Sequence, residues 1–571
     1  MANHNVKIKI SDGSEFALDR LAYAWIDAKE CVNCGVCREY CPVEAISEQQ
    51  REVCRICPGC ATKPGLTFDE MSTVSAEHAC TIGCPLGISP QGYINLIKAG
   101  MYEEAYKLIW EKTPFPAVLG YVCHHPCEAE CKRGLLIDEP IKIRALKKYL
   151  STVLPLPKQN EYPVVNEETV AIIGAGPAGL SAAHDLAQLG YEVTVFDAAN
   201  EAGGMLIRGI PMFRLPREIV RHEVDALERG GINFEFGKFI GPKQMENLLE
   251  EYDAVLVATG TPKAKLLKIE GWGLEGIYSA VDFMERFNTD SELWRHPGQE
   301  FVENGEIVII GCGSVGIDAA RAAVRYGAKN VTVVCMECGD QIPAHDWEVE
   351  EALKEGVVIM DGWKPIRFIG EQPKLSGVEI IQAEDLTKDE NGNITCKTIP
   401  GTERIIKADM VIEAIGQKAD EVWDAYGNSD KVFFAGDIQS NDVSVVNAMA
   451  AGKYAALQID GMLQGGQLKD PMGLRTIHKA PIEEKIYPAT RLKNKFHPTP
   501  SLDIEDRINS SEEVELVLND TEALAEVNRC LECGYQHVDS DKCIGCGICQ
   551  KVCPKGGVIK MIRVEKEAEQ K

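Results

Sequence analysis

The stretch "TVAIIGAGPAGLSAAHDLAQLGYEVTVFD" runs from Thr169 to Asp197. It opens as an apolar strand, continues as an alanine-rich helix and closes as a second strand ending on an acid. Between strand and helix lies Gly174-x-Gly176-x-x-Gly179, with Pro177 and Ala178 inside it. The first glycine permits a tight turn, the second lets the backbone approach a pyrophosphate, and the third lets helix and strand pack closely. The helix N-terminus that follows attracts phosphate charge. Asp197, eighteen residues after Gly179, is spaced to hydrogen-bond a ribose hydroxyl. Strand, turn, helix and acid together predict a dinucleotide-binding βαβ unit in an α/β fold.

A second copy follows in "EIVIIGCGSVGIDAARAAVRYGAKNVTVVCMEC", with Gly311, Gly313, Ser314, Val315 and Gly316 after another apolar strand. Two such units predict one site for a flavin dinucleotide and one for a nicotinamide dinucleotide. "DAVLVATG" (Asp253–Gly260) and "DMVIEAIG" (Asp409–Gly416) read as strands ending at small turns, bracketing the second unit as an insertion in the first. In "KVFFAGDIQSNDVSVVNAMAAGKYAA", Gly436-Asp437 closes a strand ahead of a helix. The chain resembles the two-dinucleotide-binding-domain flavoproteins, in which such a Gly-Asp contacts the FAD ribityl chain. The resemblance implies FAD at the first unit, on Gly174, Gly176, Pro177, Ala178, Gly179, Asp197, Gly436 and Asp437. Gly204, Arg214, Gly260 and Gly416 are further cofactor-binding candidates. No acid–base side chain is required for hydride transfer to a flavin, and none is assigned a catalytic role.

Cysteine usage predicts a second kind of cofactor. Of 22 cysteines, twelve lie between Cys31 and Cys131 and six between Cys530 and Cys553. "CVNCGVCREYCP" (Cys31, Cys34, Cys37, Cys41) and "CIGCGICQKVCP" (Cys543, Cys546, Cys549, Cys553) both have the C-x2-C-x2-C-x3-C-P spacing of bacterial ferredoxins. In two-cluster ferredoxins the fourth cysteine of such a run ligates the other cluster. Structural zinc is the alternative reading of paired C-x2-C spacings. Cys54, Cys57 and Cys60 form a third set, and Cys530 and Cys533 another pair. Cys335-x-x-Cys338 has a redox-dithiol spacing, but it follows the second strand of the nicotinamide unit, where the ribose edge lies. Cys312 reads as a small turn residue and Cys396 as an ordinary strand residue. His124 and His125, within the cluster motif, read as packing groups.

"GGMLIRGIPMFRLP" (Gly203–Pro216) and "FPAVLGYVCHHPCEAEC" (Phe115–Cys131) narrow the resemblance. Across about residues 76–465 the chain resembles the glutamate synthase small subunit. It is similar also to the large subunit of electron-bifurcating ferredoxin:NADP oxidoreductases and to the N-terminal half of dihydropyrimidine dehydrogenase. The resemblance implies a helical domain with two [4Fe–4S] clusters, matched here by Cys80, Cys84, Cys123, Cys127 and Cys131. Two departures follow from it. The family's two further cysteines just before the Cys80 position are absent, the nearest being Cys54–Cys60. Where the family supplies a Gln or Glu ligand, "EPIKIRALK" offers Lys147, whose ammonium has no lone pair. The family's NADPH users end the second nicotinamide strand in Tyr-Arg-Arg. Here Met336 and Glu337 stand for the arginines, and Glu337, twenty-one residues after Gly316, is spaced for the 2′-hydroxyl of NAD. NAD(H) is therefore expected over NADP(H), with FAD and four [4Fe–4S] clusters, the cysteines leaving room for a fifth.

The net charge of −27 repels phosphate backbones and argues against nucleic-acid binding. No apolar run reaches the ~18 residues of a membrane span, and the first residues lack a signal-peptide core, so a cytoplasmic protein is expected. The expected order is a cysteine-rich segment (1–75), a helical cluster domain (76–165), an FAD domain (166–285 and 408–465), an inserted NAD domain (286–407), a connector (466–525) and a ferredoxin-like segment (526–571). The expected activity is exchange of a hydride between NAD(H) and FAD, with single electrons passed through clusters to or from other redox subunits or ferredoxin in a hetero-oligomer, including an electron-bifurcating one. The alternatives are an NADPH-dependent reductase feeding a synthase partner and a self-contained reductase of a small substrate.

Overall fold

The computed structural model describes residues 5–9, 15–19, 22–26, 36–39, 46–50, 79–154, 161–289, 302–388, 394–439, 444–465, 494–531, 534–538, 548–554 and 559–563. They form two compact units. One spans 158–469 with 500–516; the other joins 1–157, 470–499 and 517–571.

The first unit holds two five-stranded parallel sheets. The first is ordered Val432–Phe434, Ala254–Val257, Thr169–Ile173, Glu192–Phe196, Asn233–Glu235. The second is ordered Ile277–Ser279, Met410–Glu413, Glu306–Ile310, Asn330–Val334, Val358–Met360. Central strands are apolar throughout (Val170, Ile172, Val255, Leu256, Val257 and Ile309 are all fully buried) because helices cover both faces of a parallel sheet. The domain boundaries differ from the expected ones. "DMVIEAIG" and Ile277–Ser279, both assigned to the FAD domain, pair in the second sheet. The reason is geometric: each dinucleotide turn needs a neighbouring parallel strand whose end lines it. An antiparallel sheet over 363–407 completes the second domain. Residues 500–516, expected in the connector, are part of this unit: Val514 N–H donates to the Phe213 carbonyl (3.1 Å), and Ile504–Ile508 packs on the second dinucleotide helix.

The second unit has a helical part and a ferredoxin-like part. Pro90–Lys98, Pro116–Val122 and Ile143–Val153 form the helical core, with Gly120 so close to Lys148 that a Cβ would lie 2.7 Å from the Lys148 Cα. In the other part, early and late segments interleave. Ala22–Ile26 pairs antiparallel with Ile559–Arg563, Ile46–Gln50 pairs with Gly534–Val538, and Val36–Glu39 packs on Ile548–Val552. Among the described residues no helix is long and apolar enough to cross a membrane.

Candidate flavin, nicotinamide and iron–sulfur sites

The first dinucleotide turn is built by close backbone approach. Gly174 has φ +109°, and a Cβ there would lie 2.4 Å from the Ala258 carbonyl oxygen; a Cβ on Gly179 would lie 2.0 Å from the Gly174 oxygen. Gly176 caps the helix Pro177–Gln188, and a Cβ there would meet nothing within 4 Å. That is the space a pyrophosphate needs. Gly204 folds over the same turn, its position 2.9 Å from the Gly176 Cα measured at a hypothetical Cβ. Asp197 accepts the N–H of Ala175 (2.7 Å) and of Ala199 (2.8 Å), so it braces the turn and still has acceptor capacity left on each carboxylate oxygen. Gly436, at φ +81°, lies against Ala178, and burial pushes the half-buried Asp437 carboxyl up to about 6. Thr259 Oγ1, next to Gly260, is buried with no hydrogen-bond partner, as a group awaiting a ligand would be. These residues fit a bound FAD. One contributor escaped the sequence reading: a Cβ on Gly452 would lie 2.0 Å from the Ala178 carbonyl oxygen, so this glycine lets Val445–Leu463 cross the first dinucleotide helix. Within an alanine-rich helix it carries no distinguishing signal.

The second turn repeats the first. Gly311 has φ +106°, and its Cβ would lie 2.5 Å from the Ala414 oxygen; Gly313 is open to 4 Å; Gly316 would meet the Gly311 oxygen at 2.1 Å. "DMVIEAIG" thus lines this turn as "DAVLVATG" lines the other. Ser314 Oγ donates to Glu348 (2.6 Å), and Val315 is exposed. Gly416, at φ +103°, closes the strand end. Arg214 is engaged by Asp318 (2.7 Å) and Glu348 (3.0 Å), which hold its guanidinium firmly charged despite its burial. Past the strand Asn330–Val334, Glu337 is half-buried, and after burial Asp361 and then Glu337 are what raise the nearby Cys338 thiol. The buried Cys335 thiol donates to the Glu337 carbonyl (3.5 Å) and the exposed Cys338 thiol to the Met336 carbonyl (3.9 Å), so the two free thiols are committed to different acceptors. Cys396 contacts Met336 (3.7 Å).

In the helical domain Cys84, Cys123 and Cys127 lie within electrostatic range of one another, and Cys123 and Cys127 within range of Lys147. Burial raises the Cys123 and Cys127 thiols, and Lys147 opposes it. Arg144 and Lys148, flanking Lys147 on its helix, fix that helix to Tyr121: Arg144 donates to the Tyr121 carbonyl (2.7 Å), and Lys148 Nζ sits 4.3 Å from the ring centre. Lys147 is only 5% exposed. His125, in the left-handed region at φ 50°, donates its backbone N–H to the Cys123 sulfur (3.3 Å). Gly83 lets the Cys80 helix reach Cys127 and Glu130, a hypothetical Cβ lying 2.9 Å from the Glu130 Cγ. A buried ammonium beside buried thiols needs compensating negative charge, which an iron–sulfur cluster on thiolates supplies; the residues fit such a group. In the ferredoxin-like part Cys37 and Cys549 are buried on the two paired short helices, and Cys553 is half-buried. Cys31, Cys34, Cys41, Cys54, Cys57, Cys60, Cys533, Cys543 and Cys546 lie outside the described residues.

Comparison with known proteins agrees with this geometry. Residues 168–452 match the pyridine nucleotide-disulphide oxidoreductase family, residues 73–155 the dihydropyrimidine dehydrogenase domain II 4Fe-4S family, and residues 24–47 and 537–558 the 4Fe-4S binding domain. The chain is 34% identical over 449 residues to the Moorella thermoacetica NADP(+)-dependent formate dehydrogenase subunit beta, covering 70% of this chain and 62% of that protein. It is 29% identical over 518 residues to the NADPH-Fe(3+) oxidoreductase subunit beta of Geobacter sulfurreducens, covering 80% and 75%. It is 30% identical over 418 residues to the Azospirillum brasilense glutamate synthase [NADPH] small chain, covering 66% and 84%. The chain is a member of the glutamate synthase small chain family of FAD- and NAD(P)-linked oxidoreductases that carry [4Fe–4S] clusters and transfer electrons.

Proposed function

We propose that the chain exchanges a hydride between NAD(H) and FAD and passes single electrons through its clusters to or from a partner redox subunit or ferredoxin. Bound FAD supplies the conversion between an electron pair and single electrons. The chain's own residues bind and orient. The Gly174–Gly179 turn seats the flavin pyrophosphate, Asp197 the ribose, and Asp437 accepts from a ribityl hydroxyl. The Gly311–Gly316 turn seats the nicotinamide dinucleotide, and Glu337 accepts from the 2′-hydroxyl. The observation that carries this reading is the pair of turns, each with open space at its second glycine. The interleaved strands of the ferredoxin-like part favour exchange of fourth ligands, Cys553 joining Cys31, Cys34 and Cys37, and Cys41 joining Cys543, Cys546 and Cys549. Cys84, Cys123 and Cys127 hold a third cluster with Lys147 opposite.

Glu337 and Asp361 favour NAD(H), since two acids repel a 2′-phosphate. NADPH is the second reading, because the relatives above carry NADP(H) in their names. Anaerobic flavin reduction by NADH and by NADPH separates them: a higher kcat/KM for NADPH in the wild-type chain discards the NAD(H) reading. The relatives are named as beta subunits or a small chain, which supports a hetero-oligomer. Copurification of a second redox subunit with the natively expressed chain is the expected result, and a lone chain reducing a small organic substrate would refute it.

A further inference from the structure

Arg133 and Arg529 are fully buried, and they meet. Arg133 Nη1 donates to the Arg529 carbonyl (2.7 Å), and its Nε and Nη2 grip Asp138 at 2.6 and 2.8 Å. Arg529 donates to the same Asp138 (3.2 Å), to the Glu139 carbonyl (2.6 Å) and to Glu526 (2.6 Å). Glu526 also accepts the Lys142 N–H (2.9 Å), and Tyr149 donates to Asp520 (2.9 Å). Buried charges are tolerated only when paired and hydrogen-bonded, so this network fixes one docking geometry. It seats the helix Asp520–Val527 on Pro90–Lys98 and Ile143–Val153. The next thiol, Cys530, is 8% exposed.

That location coincides with a deficit of ligands. Arg133, which holds the carbonyl preceding Cys530, lies two residues after Cys131. Cys131 follows Glu130, against which the Cys80 helix packs at Gly83. With Cys84 grouped with Cys123 and Cys127, and these two beside Lys147, Cys80 and Cys131 are two thiols short of a cluster among the described residues of the helical domain. The ferredoxin-like part needs neither Cys530 nor Cys533, because its two runs already contain eight cysteines.

We propose that Cys530 is a ligand, with Cys80 and Cys131, of a [4Fe–4S] cluster in the helical domain, which is thereby closed across most of the chain's length. The proposal rests on the cluster reading above. The C-x2-C spacing from Cys530 to Cys533 is that of a cluster pair, and the set has one place for a further thiol.

The test uses the full-length chain purified anaerobically, with Cys530→Ala, Cys80→Ala, Cys543→Ala and the double variant Cys530→Ala/Cys80→Ala. Iron content and the paramagnetic resonance spectrum of the reduced protein are read. Cys530→Ala and Cys80→Ala should each delete the same spectral component and about four irons. The double variant should lose no more than either single one. Loss of the component that Cys543→Ala deletes, or no loss at all, overturns the assignment. If Cys530→Ala does not fold, Cys530→Ser keeps the volume and should perturb the component that Cys80→Ser perturbs; perturbation of a different component overturns the proposal. Stoichiometric zinc in the wild-type chain would instead sink the underlying cluster reading.

Discussion

In the nucleotide-binding unit, strand, glycine turn and helix are continuous between Thr169 and Gln188, and again between Glu306 and Arg325. In the cluster unit, Ile46–Gln50 waits for Gly534–Val538, and Arg133 waits for Arg529. The difference follows from what each cofactor asks of the protein. A pyrophosphate is held by backbone N–H groups at a helix N-terminus, and these exist only in an unbroken segment. A cluster asks for sulfur atoms at the right positions and is indifferent to the order in which the chain supplies them. The first kind of site cannot be split; the second can.

The contrast predicts a total, cofactor-selective loss in the first unit. Gly176 has space at its Cβ and an ordinary φ of −88°, so Gly176→Val should fold and lose essentially all flavin. Gly313→Val should keep its flavin and lose reduction by nicotinamide. Flavin absorbance of the purified variants checks both, and the opposite pattern would reverse the assignment of the two turns.

In the second unit, loss should cross the chain. Wild type should carry about sixteen irons, at about four per cluster, and fewer than about twelve would refute that count. Deleting residues after 533 should remove about eight irons rather than four, as the proposed exchange of fourth ligands between the two segments requires. Retention of a complete cluster on Cys31–Cys41 would mean that the paired strands do not share ligands.

A smaller effect is expected at the ribose edge. Glu337→Arg replaces a repelled phosphate by a charge-assisted contact worth roughly 1.5–3 kcal/mol, so the NADPH-to-NADH ratio of kcat/KM should rise about 10- to 100-fold. An unchanged ratio would show that the strand end does not select the nucleotide.

The smallest effect concerns Asp437. Burial raises its carboxyl to about 6, so without flavin its charged form is disfavoured and the apo fold loses stability as pH rises from about 4 through 6. A ribityl hydroxyl bonds best to the ionised carboxylate. FAD affinity should therefore fall as pH drops through 6, by at most about tenfold per unit, and Asp437→Asn should flatten that slope. Flavin titration across this range measures it.

These regions also differ in how they could be read from sequence. Gly174, Gly176 and Gly179 announce their turn because spacing alone dictates backbone geometry. Gly452 does not, because its role depends on Ala178, far away in sequence. Arg214 is expected among the cofactor contacts; its ion pairs to Asp318 and Glu348 are not signalled by the motif around it. The two ferredoxin runs were recognisable singly; that their flanking strands interleave required the register of Ala22–Ile26 on Ile559–Arg563. The docking of Arg529 had no sequence signature, since buried arginine networks have no fixed spacing.

The interleaved strands have a consequence in time. On the ribosome, residues 22–50 are synthesised some five hundred residues before the strands that pair with them. At about 5–20 residues per second that interval is roughly half a minute to two minutes. Throughout it, the strands Ala22–Ile26 and Ile46–Gln50 lack the partners they pair with in the finished chain. A nascent chain stalled before residue 534 could carry a finished pair of dinucleotide turns and still hold no ferredoxin-like cluster. With fourth ligands exchanged as proposed, completion of these clusters would report that translation has passed the last strand.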